Sequence, residues 1–186
     1  MTASPDIRLG RLQPSAASSR PDLLAPAVAQ FLAHWRHAGD VLVAEIDPDL
    51  ADTAAFCDRY DIGLDVSANC VVIAARRGDT TRYAACVVLA TTRADVNGVV
   101  RRHLDARKAS FAAMDDAVER TGMEYGGITP LGLPADWQIL VDAAVVDAGT
   151  VVVGSGVRRS KIALPGAALA DVPNAQVITD LARPVA

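Results

Sequence analysis

Aromatic residues are scarce in this chain: three Phe, three Tyr and two Trp among 186 residues. The core must therefore be built from small and β-branched aliphatics, and Ala and Val are abundant. Cysteine is just as sparse, with only Cys57, Cys70 and Cys86. Their spacing excludes a disulfide framework and a CxxC metal site. His34, His37 and His103 show no pairing with a cysteine, which argues against a thiol nucleophile. His34 and His37 sit one helical turn apart but lack the further ligands that zinc needs. No metal and no cofactor are expected. No apolar run approaches the ~20 residues that span a bilayer. The longest, Cys70–Ala75 and Cys86–Ala90, have strand length. Met1–Ser19 lacks the continuous apolar stretch of a secretion signal. No membrane partner and a cytoplasmic location are expected. There is no GxGxxG after a strand and no phosphate-binding P-loop.

The net charge of −4 argues against bulk nucleic-acid binding, but the charge is unevenly spread. Asp40, Glu45, Asp47, Asp49, Asp52, Asp58, Asp61 and Asp65 cluster against Arg59 alone. Arg93, Arg101, Arg102, Arg107 and Lys108 then outnumber Asp95 and Asp105. Arg158, Arg159 and Lys161 form a second basic cluster. A phosphate-bearing ligand fits such a face, as do solvated helix faces and edge strands.

Residues 1–20, with Pro5, Pro14 and the Ser-rich patch Ser15–Ser19, read as a flexible tail, and 21–186 as one domain. Helical spacing of Leu23, Leu24, Val28, Phe31, Leu32 and Trp35 predicts a helix from Pro21 to about His37. Val41–Ile46 alternates as a strand. Asp47-Pro48-Asp49 is a turn and a start signal for a short helix to Tyr60. Asn69–Ala75 and Thr81–Ala90 flank Arg76-Arg77-Gly78-Asp79, the clearest hairpin in the chain. Helices are predicted from Asp95 to Leu104 and from Met114 to Arg120, with Lys108–Phe111 extended between them. Strands follow over Trp137–Val146, Thr150–Val153 and Lys161–Leu164, then a short helix from Pro165-Gly166 to Ala170. Gln176–Leu181 closes the chain. This order predicts an α+β fold: a curled, barrel-like mixed or antiparallel sheet with short helices packed around it.

Between the predicted helix Met114–Arg120 and the strand at Trp137 lies Tyr125-Gly126-Gly127-Ile128-Thr129-Pro130-Leu131-Gly132-Leu133-Pro134. Three glycines and two prolines in so short a run preclude a helix or central strand. The stretch is a shaped loop, either a turn or a wall that lets a ligand approach the main chain.

The order of features resembles the YbaK/prolyl-tRNA editing domain family from about Val41 to Leu181. Gly126–Gly132 resembles the family's Gly-Gly-x-Ser/Thr/Pro-Pro-x-Gly loop. Arg107-Lys108-Ala109-Ser110-Phe111 sits where the family has a basic pair before a short helix. Ile139–Ala144 is similar to its apolar-Asp-Ala strand, and Val152–Gly156 to its Val-Ser-Gly-Gly turn. Lys161–Leu164 with Pro165–Leu169 resembles its paired strand and helix start.

The resemblance implies hydrolysis, in trans, of the ester joining a wrongly attached small amino acid to its tRNA. It implies the aminoacyl-tRNA 3′ end as partner, with an aminoacyl-tRNA synthetase as a further one. Gly126, Gly127, Thr129 and Asn69 are the catalytic positions it points to. Ile128, Pro130, Gly132, Lys108, Ser155, Gly156 and Lys161 are the substrate-binding ones. Oriented N–H groups of the loop would stabilise charge developing on the ester oxygen, and the Thr129 hydroxyl would hold water or the amino group. The family is thought to use the substrate's terminal ribose hydroxyl too, which fits the lack of a Ser/His/Asp or Cys/His set. Many relatives carry a lysine at the start of the first hairpin strand, and this chain has Asn69 there. Lys108 and Lys161 are the candidate substitutes, and Lys161 falls where relatives often have an acidic residue. The alternative is a family member that binds tRNA, a synthetase or a small aminoacyl-like ligand without turnover.

Overall fold

The computed structural model describes residues 9–185. Its strands are β1 (Ser15–Ala16), β2 (Leu42–Glu45), β3 (Ala68–Arg77), β4 (Thr80–Leu89), β5 (Thr92–Ala94), β6 (Lys108–Phe111), β7 (Gln138–Asp142), β8 (Thr150–Gly154), β9 (Ser160–Pro165), β10 (Ala175–Ile178) and β11 (Ala182–Pro184). Its helices are α1 (Pro26–Leu32), α2 (Thr53–Tyr60), α3 (Arg101–His103, preceded by a π-turn), α4 (Met114–Thr121) and α5 (Ala143–Asp147). An antiparallel sheet runs β1-β2-β9-β8, and a mixed sheet runs β10-β7-β4-β3-β6. β5 and β11 form a separate pair.

The two large sheets share one core. Val43, Ile162, Leu164, Val151 and Val153 from the first meet Val87, Leu89, Ile139 and Val141 from the other, with α1 against them. Each sheet is also covered on its outer face. Val88, Cys86 and Ala84 of β4 pack beneath Val96, Val100 and Leu104. Val152 and Ala163 pack beneath Phe56 of α2. Burial on both faces explains why these strands read as continuous apolar runs rather than alternating ones.

Four expectations are corrected. No sheet closes or curls into a barrel among the described residues. β3 and β8 approach each other, but their ladder is a single bridge, Ser67 to Val152. Beyond it Asn69, Cys70 and Gly154 line an open cleft instead of pairing. The tail expected over 1–20 does not hold for residues 9–20: Leu9 and Leu12 pack with Phe56 and Ile62, and Ser15 pairs with Val43. Residues 1–8 lie outside the described residues. The helix expected to His37 is only α1, because Pro26 forces Ala25 into an extended conformation and restarts the chain. The strand expected to Val146 stops at Asp142, which is buried. Its carboxylate accepts from the Ala144 N–H at 2.8 Å, capping α5, and from the Ala182 N–H at 2.8 Å.

The hairpin, the start signal at Asp47 and α4 form as expected. Gly122 ends α4 in the left-handed conformation. Among the described residues no helix is long and apolar enough to cross a membrane, and no cluster of side chains could hold a metal ion.

Candidate functional site

The two glycine-bearing stretches interlock. Gly127 donates to the Glu124 carbonyl at 2.9 Å, and its own carbonyl accepts from Gly156 at 2.7 Å. Glu124 donates to the Gly156 carbonyl at 2.9 Å. The approach is too close for side chains: a Cβ at Gly127 would lie 2.6 Å from the Val157 carbonyl, and one at Gly154 would lie 2.4 Å from the Gly127 carbonyl. Gly126 itself takes φ 83°. The loop after α4 is thus fixed by its backbone onto the end of β8.

Arg158 ties this loop to the segment before α2. Its guanidinium donates to the Pro48 carbonyl at 3.0 and 3.2 Å and to the Tyr125 carbonyl at 3.2 Å. The Arg158 N–H donates to Glu124 Oε2 at 2.6 Å. Two chain segments distant in sequence are held as facing walls by one planar donor fork.

Between those walls lies a cleft of about 350 Å³, at the seam of the two sheets. Asn69 enters from the start of β3, Lys161 from β9, and Gly126, Ile128 and Gly154 from the interlocked glycine stretches. Thr53 donates to Asn69 Oδ1 at 2.7 Å, which fixes the amide and leaves its Nδ2 donors free of protein acceptors among the described residues. The Gly126 and Ile128 N–H groups likewise find no acceptor among the described residues. Ala68, Cys70, Val72 and Ala117 supply an apolar lining.

Lys161 is the cation of this cleft. Its Nζ donates to the Ala51 carbonyl at 3.0 Å and lies 5.2 Å from the centre of the Phe56 ring. Burial lowers its pKa from the ordinary 10.5, and the neighbouring Arg158 charge acts in the same direction. Cys70, half-buried, also lines the cleft, and burial raises its thiol pKa, which disfavours the thiolate.

The structure brings Asn69, Gly126, Ile128 and Lys161 to one cleft and sets the other expected residues elsewhere. Gly127 and Gly156 lie behind the wall. Thr129 and Pro130 are buried, and the Thr129 hydroxyl finds no partner among the described residues. Gly132 is seated against Ala27 of α1, beside another cleft lined by Phe31 and Trp35. Ser155 is buried and bonded to Ser160 Oγ at 2.7 Å, a structural turn rather than a site. Lys108 is exposed on the edge strand β6, opposite Arg76 and in a separate depression, because strand register carries it away from the loop.

Sequence reasoning missed Asp52, Thr53, Tyr125, Phe111 and Met114, which also line the cleft. The start signal at Asp47 marked the first two as a helix N-terminus. Nothing local marks that this terminus faces the glycine loop.

Known proteins bear on this geometry. A model of the aminoacyl-tRNA editing domain matches residues 47–172. The uncharacterized protein YwhH of Bacillus subtilis (strain 168) is 25% identical over 158 residues, covering 84% of this chain and 96% of that protein. The crystal structure of "a putative trans-editing enzyme for prolyl tRNA synthetase" superposes with a TM-score of 0.70 at 19% identity, covering 83% of this chain and 94% of that one. That of hypothetical protein APE2540 gives 0.67 at 17% identity, covering 76% and 90%. At such identities the structural likeness establishes the fold. The sequence match spans most of the chain, which belongs to the aminoacyl-tRNA editing domain family, the YbaK family.

Proposed function

We propose that this chain hydrolyses the ester between a small amino acid and the 3′ end of a tRNA, acting in trans. The observation that carries the reading is the cleft that Lys161, Asn69 and the backbone of Gly126 and Ile128 share. Water attacking the ester carbon puts negative charge on the carbonyl oxygen. The free N–H groups of Gly126 and Ile128, the Asn69 amide and the Lys161 ammonium are the donors available to that charge. The bond from the carbonyl carbon to the ribose oxygen then breaks, and the ribose oxygen takes the proton. The substrate's neighbouring ribose hydroxyl is the group suited to relay that proton.

Asp52 has a role in the same reading. It occupies the N-cap position of α2, yet its carboxylate makes no cap hydrogen bond, lies 3.9 Å from the Arg158 guanidinium in a loose ion pair, and stays exposed at the cleft. An aminoacyl ester carries a free α-ammonium group, and Asp52 is the carboxylate available to pair with it. The apolar part of the lining, Ala68, Cys70, Val72 and Ala117, suits a small side chain.

The test is to incubate the protein with tRNAs charged separately with Ala, Cys, Ser, Thr or Pro. Release of at least one amino acid above buffer is expected. No release from any would overturn the reading. Asn69, at the position where the family resemblance places a lysine, favours an alternative: the cleft binds the aminoacyl end without turnover. Calorimetry that detects binding of a charged tRNA in the absence of hydrolysis would select it.

A further inference from the structure

The mouth of the cleft carries an unusual concentration of exposed apolar side chains. Six large hydrophobics are exposed among the described residues, and three of them line this one cleft: Phe111, Met114 and Tyr125, at 62%, 52% and 57% exposure. In a chain with so few aromatics, its two exposed aromatic rings stand together at the site. The core gains nothing from them there. Tyr125 is also held in place, since Arg158 grips its carbonyl and Gly127 is locked behind it.

Another feature adjoins the rim. β6, at the sheet edge, runs from Phe111 at the mouth to Lys108, a span of about 10 Å; the two side chains leave opposite faces, so a path joining them crosses the strand's open edge. Lys108 is the direct register partner of Arg76 on β3, and both are exposed. Like charges placed opposite each other across a ladder are destabilising. Neither has an ion-pair partner among the described residues. Asp116 borders the same depression, where the Tyr83 hydroxyl donates to it at 3.3 Å.

We infer that the rim is a stacking platform for the unpaired terminal bases of an RNA whose 3′ end enters the cleft. Tyr125 and Phe111 receive base faces, and Arg76 with Lys108 receives the phosphates as the strand leaves. Unpaired RNA is recognised in this manner, by aromatic faces beside a basic track. The inference rests on the reading that the cleft takes the aminoacyl end of a tRNA, and it adds which surface holds the bases upstream of that end.

The experiment measures binding of an uncharged RNA stem-loop with a short unpaired 3′ end by fluorescence anisotropy. Tyr125→Ala and Phe111→Ala should each weaken binding by roughly 5- to 150-fold, the value of one lost stack. Tyr125→Trp should restore it and Tyr125→Leu should not, which separates stacking from simple apolar cover. Arg76→Ala with Lys108→Ala should flatten the salt dependence by about 0.7 in slope per lost phosphate contact. Unchanged affinity in the Ala variants overturns the inference, as does wild-type protein that does not bind the RNA. So does Tyr125→Ala that abolishes self-association or protein binding while RNA affinity stays the same. Because the probe carries no ester, the two ideas fail separately. RNA bound through the rim without hydrolysis sinks only the hydrolase reading. Hydrolysis with rim variants that bind and react like wild type sinks only the platform.

Discussion

Two lysines of this chain sit in opposite physical settings. Lys161 lies under the cleft, on the face of β9 that packs against α2, with an aromatic ring and a backbone carbonyl as its nearest partners. Lys108 lies in open water on an edge strand beside another cation. Along the sequence Lys108 has the better position, in a basic pair shortly before the glycine loop. In space it is Lys161 that shares the cleft with that loop, although 28 residues separate it from Gly132 in the chain. Strand register, not sequence proximity, decides which charge can act. A lysine kept partly dry is costly and acts strongly at short range, whereas a wet one is screened and steers.

The largest expected effect tests that division of roles. Lys161→Met should lower the deacylation rate by about 100-fold or more, in line with the loss of a donor to a developing oxyanion. The fold should not suffer, because Met fills the space without burying a charge, so thermal unfolding should stay the same or rise. Lys108→Met should leave the chemical step intact and act only on the salt dependence of RNA binding.

pH sharpens the same contrast. Burial lowers the Lys161 pKa below its unfolded value of 10.5. Between the folded and unfolded values the unfolded chain binds more protons, so this residue's contribution to stability rises with pH across that window. Ligand binding that needs the ammonium falls across the same window. An alkaline limb of binding that sets in below pH 10.5, and vanishes in Lys161→Met, is expected from titration calorimetry.

Smaller effects separate the front of the glycine wall from its back. Ser155→Ala breaks the buried bond to Ser160 and should cost about 1–3 kcal/mol in chemical denaturation. Thr129→Val removes a buried hydroxyl that has no partner among the described residues. It should be neutral or stabilise by about 1 kcal/mol, with activity unchanged.

Much of this was legible in the chain. The hairpin announced itself through two β-branched runs around Gly78, and α4 through its glycine stop. Gly126 lines one wall of the cleft. Thr129 and Ser155 misled, because a hydroxyl in a loop motif has the same sequence signature whether it faces a ligand or the interior. Facing is decided by packing against β8 and α1, which no local pattern encodes. Asp52 and Thr53 were visible as a helix start, but their meeting with Asn69 depends on how two sheets come together. The open seam was hidden for the same reason: apolar strands of this kind fit a closed barrel and two packed sheets equally well.

The most direct test of the account asks whether the cleft needs a cation or needs Lys161 in particular. Deacylation initial rates are compared for wild type, Lys161→Met, and Lys161→Met combined with Asn69→Lys, which returns the charge from the opposite wall. The account predicts a loss in the single variant and partial recovery in the double. Wild-type rates in Lys161→Met would contradict it.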